Sequence, residues 1–203
     1  MEFKSSKYLF FLIIISFLVY FNSIFNGFVW DDEEQIVNNS FVHSIVNIPT
    51  FFKNSTFNPA GAEKLPGLYY KPLMTSLFSI IYSLFGPHPF YFHSIQIILH
   101  IINSILVFLI FKHLLKKEKL SLFLSLIFLL HPINSETVLY ISALQDILFF
   151  LFGSLALLII TKKTTIQYVL ISSTLLLFSL LSKETAVLFV ITVFLYLIFF
   201  KKN

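Results

Sequence analysis

The chain has no cysteine and no arginine. Without cysteine there is no disulfide framework, no thiolate metal site and no cysteine nucleophile. Without arginine it lacks the usual reader of phosphates and guanine edges. Its net charge of +4 rests on 14 lysines and does not point to nucleic acid. Charge itself is scarce, at 12% of residues, against about 25% in a soluble domain. What fills the space is apolar: 57% of the 203 residues are hydrophobic, and Phe alone accounts for 27. A soluble fold of this length has no interior large enough for that surface. The composition is that of an integral membrane protein.

Apolar runs set the organisation. The first runs from Tyr8 to about Phe28, after Lys4 and Lys7. No small-x-small cleavage site follows it, so it reads as an uncleaved signal-anchor helix. Further apolar segments cover Phe90–Phe111, Leu120–Leu130, Thr137–Ile160, Ile166–Leu181 and Thr185–Phe200. About six crossings are expected at the length a bilayer requires. The segment ending at His131-Pro132 is short, and needs tilt or bilayer thinning.

Between the first two spans, residues 22–89 form a large polar loop with five of the ten acidic residues: Asp31, Asp32, Glu33, Glu34 and Glu63. Two stretches inside it read as short helices. Val42–Phe52 is mixed in character. Pro72–Phe85 opens on proline and stops at Gly86-Pro87, the chemistry of a helix start and stop. At about 14 residues it is too short to cross and suits an interfacial position.

The lysines orient the chain. With the N-terminus in the cytoplasm, the inner ends carry Lys4 and Lys7, then Lys112, Lys116, Lys117 and Lys119, then Lys162 and Lys163, then Lys201 and Lys202. Lys183 is the one lysine in a short outer loop. This is the positive-inside pattern, and it puts most carboxylates outside.

Several polar groups invite a role. Trp30 precedes the acidic run Asp31–Glu34 at the end of the first span. Adjacent carboxylates repel, which can hold one proton near neutral pH for a general base. The pair is also an oxygen donor set for a divalent metal. The plainer reading is a solvated loop. Lys71, after Tyr69 and Tyr70, sits at a helix start, where a cation and free backbone N–H groups suit a phosphate. It could equally snorkel. Asp146 lies inside an apolar span, where a carboxylate marks a functional site or a buried pair. Its structural partners would be Gln145, Ser142 or Lys183. His131 and Glu136, and Lys183 and Glu184, occupy the two short outer turns. Glu136, Lys183 and Glu184 could form a salt-bridged lid. His93 and His100 are seven apart on one face, a spacing that suits packed histidines rather than a metal pair.

In order along the chain, Phe28-Val29-Trp30-Asp31-Asp32, Tyr70-Lys71-Pro72-Leu73, Gly86-Pro87-His88-Pro89-Phe90-Tyr91-Phe92-His93, His131-Pro132 with Glu136, Asp146 and Leu181-Ser182-Lys183-Glu184 resemble the GT-C class of membrane glycosyltransferases. Within that class the chain looks most like the transmembrane and tetratricopeptide-repeat O-mannosyltransferase-like proteins and their bacterial relatives. The resemblance implies an all-α fold and a GT-C-like N-terminal module over residues 1–203, shorter than is usual in the family. It implies transfer of a sugar such as mannose from a polyprenyl-phosphate donor to an acceptor hydroxyl on a protein or glycan at the outer face. Asp31 would be the base with Asp32 beside it. Lys71, where the family more often has Arg, and Tyr70 would hold the donor phosphate. Asp146 would face the site, supported by His131, Glu136, Lys183, Glu184 and His93. No metal ligand is assigned, although a divalent metal remains compatible with the acidic pair. A partner subunit could complete a short module, and a bacterial plasma membrane is favoured over the endoplasmic reticulum. The rival is a non-enzymatic subunit or a transporter half, which would place its polar groups near the bilayer midplane.

Overall fold

The computed structural model describes residues 3–53, 56 and 69–200, with side chains from Ser6 onward. Glu63, Lys201, Lys202 and the Lys4 side chain, used above for charge and topology, lie outside the described residues. Among the described residues the chain is helical, without a β-strand.

The first helix, α1 (Phe3–Tyr20), continues into a 3-10 turn at Phe21–Phe25. Tight turns at Ser40–His43 and Ile45–Asn47 and the one-turn α2 (Ile48–Phe51) make up the mixed stretch of the loop. The next helix, α3 (Pro72–Phe85), begins and ends where its proline and glycine require. Gly86 takes φ +73, open to glycine without a Cβ clash, and its N–H closes on Tyr82 O at 2.7 Å. Pro89 then starts α4 (Pro89–Leu115), which ends at the left-handed Lys116. Next come α5 (Glu118–Leu130), α6 (Ser135–Leu139), α7 (Leu144–Lys162), α8 (Ile166–Ser182) and α9 (Val187–Phe200).

The central helix is α4. On one side Leu12 and Tyr20 of the first helix, with Leu129 and Val138, pack on its Ile97 and Phe108. On the other, Met74, Phe78 and Ile81 of α3 and Leu144, Ile147 and Leu148 of α7 pack around Phe92. Outward faces are apolar too: Phe10, Leu18, Phe123, Leu188, Phe194 and Phe199 are all exposed. An apolar outer surface around a bundle with buried serines is inside-out for water and right for lipid. Helices α7 and α8 meet through small residues, with Ser172 Oγ donating to Ala156 O at 3.2 Å and Ser179 Oγ to Phe149 O at 2.6 Å.

Among the described residues, three helices are long and apolar enough to cross a bilayer: Ser6–Phe25, Pro89–Leu115 and Ile141–Lys162. A fourth crossing arises if Glu118–Leu130 and Pro132–Leu139, bent by 51° at their junction, count as one. Of the six crossings expected, length and composition therefore secure three or four. Ile166–Ser182 and Glu184–Phe200 are shorter apolar segments, at the lower edge of a spanning length.

The expected span Thr137–Ile160 is divided. Tyr140 is extended (φ −106, ψ 115), so α6 ends at Leu139 and a new helical run starts at Ile141. Side chains from other elements satisfy the backbone groups that this break frees. Gln96 Nε2 donates to Thr137 O at 2.6 Å and Tyr140 O at 2.7 Å. On the far side of the break, Asp32 takes the Ser142 N–H at 2.8 Å.

Candidate functional site

The acidic pair splits into two different environments. Trp30, just before it, holds φ +51, a left-handed conformation that strains a bulky side chain. Its ring meets the Tyr140 ring edge-on at 5.9 Å. The kink turns Asp32 inward and leaves Asp31 exposed. Asp32 is 0% exposed. One carboxylate oxygen accepts the Ser142 N–H and the Ser142 hydroxyl, at 2.8 and 2.6 Å. The other accepts the Val29 N–H at 3.1 Å. Burial pushes the Asp32 carboxyl above its ordinary range; the Ser142 and Val29 bonds pull it back, and the Asp31 charge pushes it up again. With both oxygens engaged, Asp32 is a clamp between the first loop and the start of α7. Asp31 is the carboxylate open to the surface.

Tyr140 escaped the sequence reading of this site, and Ser142, expected as a candidate partner of Asp146, bonds to Asp32 instead. Burial pushes the Tyr140 phenol up, the charges of Asp31 and Asp32 push the same way, and Ser142 and the Asp31 backbone pull it down. A tyrosine at a helix break beside an acidic pair leaves no local pattern; only the fold across 110 residues assembles it.

Lys71 precedes α3 and its Nζ lies 4.5 Å from the centre of the Tyr69 ring. Burial pulls its ammonium below the ordinary lysine range; Glu184, Asp146 and Asp31 pull it back up and Lys183 pushes it down. Four charged side chains from three other parts of the chain thus act on Lys71 electrostatically. Asp146 and Lys183, 37 residues apart, form an ion pair at 2.5 Å with each side chain 23% exposed. The lid expected from Glu136, Lys183 and Glu184 therefore takes another form: Lys183 reaches into the bundle to Asp146, and Glu184 stays exposed near Lys71.

The remaining expected residues fall elsewhere. Tyr70 donates its hydroxyl to Phe52 O at 3.1 Å, which ties the two ends of the loop together. His131 is exposed, and its Nδ1 accepts the Ile133 N–H at 3.2 Å, capping the turn after α5. Glu136 is exposed in the first turn of α6. His93 is buried beside the Gly27 backbone. His100 stacks on Phe128 at 5.4 Å and meets Tyr20 edge-on. Among the described residues, no three His, Asp or Glu side chains gather as a metal site. The acidic pair offers one free carboxylate rather than two.

The model of the family described as dolichyl-phosphate-mannose-protein mannosyltransferase matches residues 70–203. The chain is 32% identical over 143 residues to protein O-mannosyl-transferase TMTC3 of Homo sapiens, covering 70% of this chain and 16% of that protein. It is 34% identical over 135 residues to protein O-mannosyl-transferase TMTC1 of Homo sapiens, covering 66% of this chain and 15% of that one. Protein O-mannosyl-transferase F38B6.6 of Caenorhabditis elegans is 27% identical over 178 residues, 85% of this chain and 25% of its own length. No solved structure matches. The chain thus spans about one sixth of the length of the first two relatives. The family match begins at Tyr70 and takes in Lys71, Asp146, Lys183 and Glu184, so on that match this integral membrane chain belongs to the dolichyl-phosphate-mannose-protein mannosyltransferase family.

Proposed function

We propose that the chain forms the donor-binding and proton-accepting part of a glycosyltransferase that uses a polyprenyl-phosphate sugar at the outer face of the membrane. One observation carries this reading: half-buried Lys71 stands at the start of α3 within electrostatic reach of Asp31, Asp146, Lys183 and Glu184. A partly desolvated cation beside a helix start favours a phosphate. An exposed carboxylate on the same side supplies a base. The relatives are named protein O-mannosyl-transferases, which favours mannose as the sugar and a protein hydroxyl as the acceptor.

In the proposed reaction the acceptor hydroxyl attacks the anomeric carbon while Asp31 takes its proton. The bond from that carbon to the phosphate oxygen breaks, and polyprenyl phosphate leaves as an anion beside Lys71. The configuration at the anomeric carbon inverts. Negative charge grows on the leaving oxygen in the transition state, so a fixed cation there lowers the barrier. Tyr70 braces the loop that carries Lys71, and Asp32 fixes the backbone that aims Asp31. The lysine distribution supports a cytoplasmic N-terminus, with the site outside.

The test is transfer from radiolabelled polyprenyl-phosphate mannose by membranes holding the chain, compared with Asp31→Asn. Transfer by the wild type and none by an equally abundant Asp31→Asn variant is the expected result. Equal transfer by both would remove Asp31 from the mechanism.

A further inference from the structure

The acidic pair and Lys71 occupy one end of the bundle, and the opposite end is basic. Lys112, Lys116, Lys117 and Lys119 crowd the turn from α4 to α5, and Lys162 and Lys163 the turn from α7 to α8. The two turns hold one carboxylate between them, Glu118, and Lys112 takes it at 2.6 Å. The other five lysines are exposed, without a carboxylate partner among the described residues. Membrane topology asks only that such charges lie near the ends of spans, not that two turns be joined. A bond nevertheless joins them: His113 Nε2 and Thr161 O lie 3.1 Å apart, and since a carbonyl only accepts, the imidazole donates. Tyr196 gives its hydroxyl to the same oxygen at 3.4 Å. The last turns of α4 and α7 are thereby pinned side by side, with lysines next in sequence to both pinned residues.

Other features of this end favour an anion at the depth of lipid headgroups. Helices α5 and α8 both begin here without a side-chain cap, so their first-turn N–H groups add donors to the ammonium groups. Tyr196 and Tyr168, the latter with Lys163 Nζ 5.6 Å from its ring centre, are the residue type that marks the headgroup level. Leu114, Leu115 and Ile166, exposed beside the lysines, suit acyl chains. Five unpaired cations on two joined turns repel one another, and a ligand with two negative charges relieves both turns at once. We infer that the α4–α5 and α7–α8 turns form one seat for a phospholipid with two phosphate groups, one phosphate at each turn. The seat is separate from Lys71, at the other end of the bundle, and does not rest on the reading given to it. With the N-terminus in the cytoplasm, the ligand belongs to the cytoplasmic leaflet.

Native mass spectrometry of the purified chain with cardiolipin, which has two phosphates, and with phosphatidylglycerol, which has one, tests it. Each lysine beside a phosphate contributes about fivefold in affinity. A second phosphate meeting two further lysines should therefore make cardiolipin bind about 25-fold tighter. The double substitution Lys162→Gln with Lys163→Gln should bring cardiolipin down to the level of phosphatidylglycerol. His113→Phe keeps every lysine and an aromatic ring but loses the bond to Thr161. It should lower the preference by about fivefold and leave phosphatidylglycerol bound as before, because each turn still offers its own lysines. That unchanged binding also shows that the variant is folded. Equal binding of the two lipids by the wild type, or an undiminished preference in either variant, overturns the seat. Weakening of both lipids together by His113→Phe also counts against it, since parting the turns should spare a ligand that fills only one. Lys71 is untouched in both variants, so none of these results bears on the phosphate site proposed there.

Discussion

Ser142 places two hydrogen bonds, from its N–H at 2.8 Å and its hydroxyl at 2.6 Å, on a single oxygen of Asp32, 110 residues before it. Neighbours in sequence, Asp31 and Asp32 should therefore fail in opposite ways. Asp32→Ala leaves the two Ser142 donors without their acceptor at a buried helix start and frees the Val29 N–H in the exposed loop. Each lost partner costs about 1–3 kcal/mol, so this variant should lose abundance and unfold at lower temperature. Asp31→Asn should keep abundance and unfolding temperature and lose about 10²- to 10⁴-fold in transfer rate, the range of a general base. Unfolding in nanodiscs beside the transfer assay separates the two. Equal destabilisation by both substitutions would contradict the division of roles.

Much of the local architecture could be read from neighbouring residues. Pro72 and Gly86-Pro87 mark the limits of α3 because helix starts and stops are short-range chemistry. The break at Tyr140 was invisible for the opposite reason. Nothing local stops a helix there; Gln96 and Asp32, 44 and 110 residues from the groups they bind, make the break tolerable. Asp146 stood out as a carboxylate in an apolar run, and Lys183 was one of three partners weighed for it. The choice among them depended on how α7 meets the turn after α8. The different fates of Asp31 and Asp32 depended on the left-handed Trp30, a conformation no composition argues for in a tryptophan.

Lys71 gives a pH signature. Burial lowers its pKa from the ordinary 10.5, with the surrounding charges adjusting that shift. In the unfolded chain the amine keeps its proton up to about pH 10.5, and in the folded chain it loses it earlier. Between the two values the unfolded state binds more protons, so stability rises with pH. A phosphate lipid needs the charged form, so its affinity falls across the same window. Opposite trends, followed by native mass spectrometry and by thermal unfolding, are expected for the wild type. Lys71→Arg, which stays protonated, should flatten both. Parallel trends would detach Lys71 from the phosphate.

The Asp146–Lys183 pair is only partly withdrawn from solvent, at 23% exposure on each side. Removing one partner of a fully buried pair costs about 3–5 kcal/mol, and exposed pairs contribute about 1 kcal/mol or less. Asp146→Asn or Lys183→Met should fall between, at about 1–3 kcal/mol. The double substitution Asp146→Leu with Lys183→Met should cost less than the sum of the two changes made singly, since it leaves no charge behind. Strict additivity in the unfolding cycle would mean that the pair is not formed in the membrane.

Gly153 of α7 lies so close to α9 that a Cβ added there would overlap one edge of the Phe189 ring. That ring meets Phe149 and Phe150 at 6.1 and 5.6 Å, so it packs on the aromatic face of α7. Gly153→Ala gains some helix propensity, but the overlap outweighs it, because Phe189 must leave its place and pull α9 from α7. The expected net loss is about 1–3 kcal/mol. Phe189→Ala alone should also destabilise, by opening a void. Together the two should cost less than their sum, because the new methyl occupies space the ring has vacated. A double-mutant cycle by thermal unfolding in nanodiscs measures this coupling directly. A neutral Gly153→Ala would show that the two helices do not approach this closely, and the aromatic support behind Phe150 would fall with it.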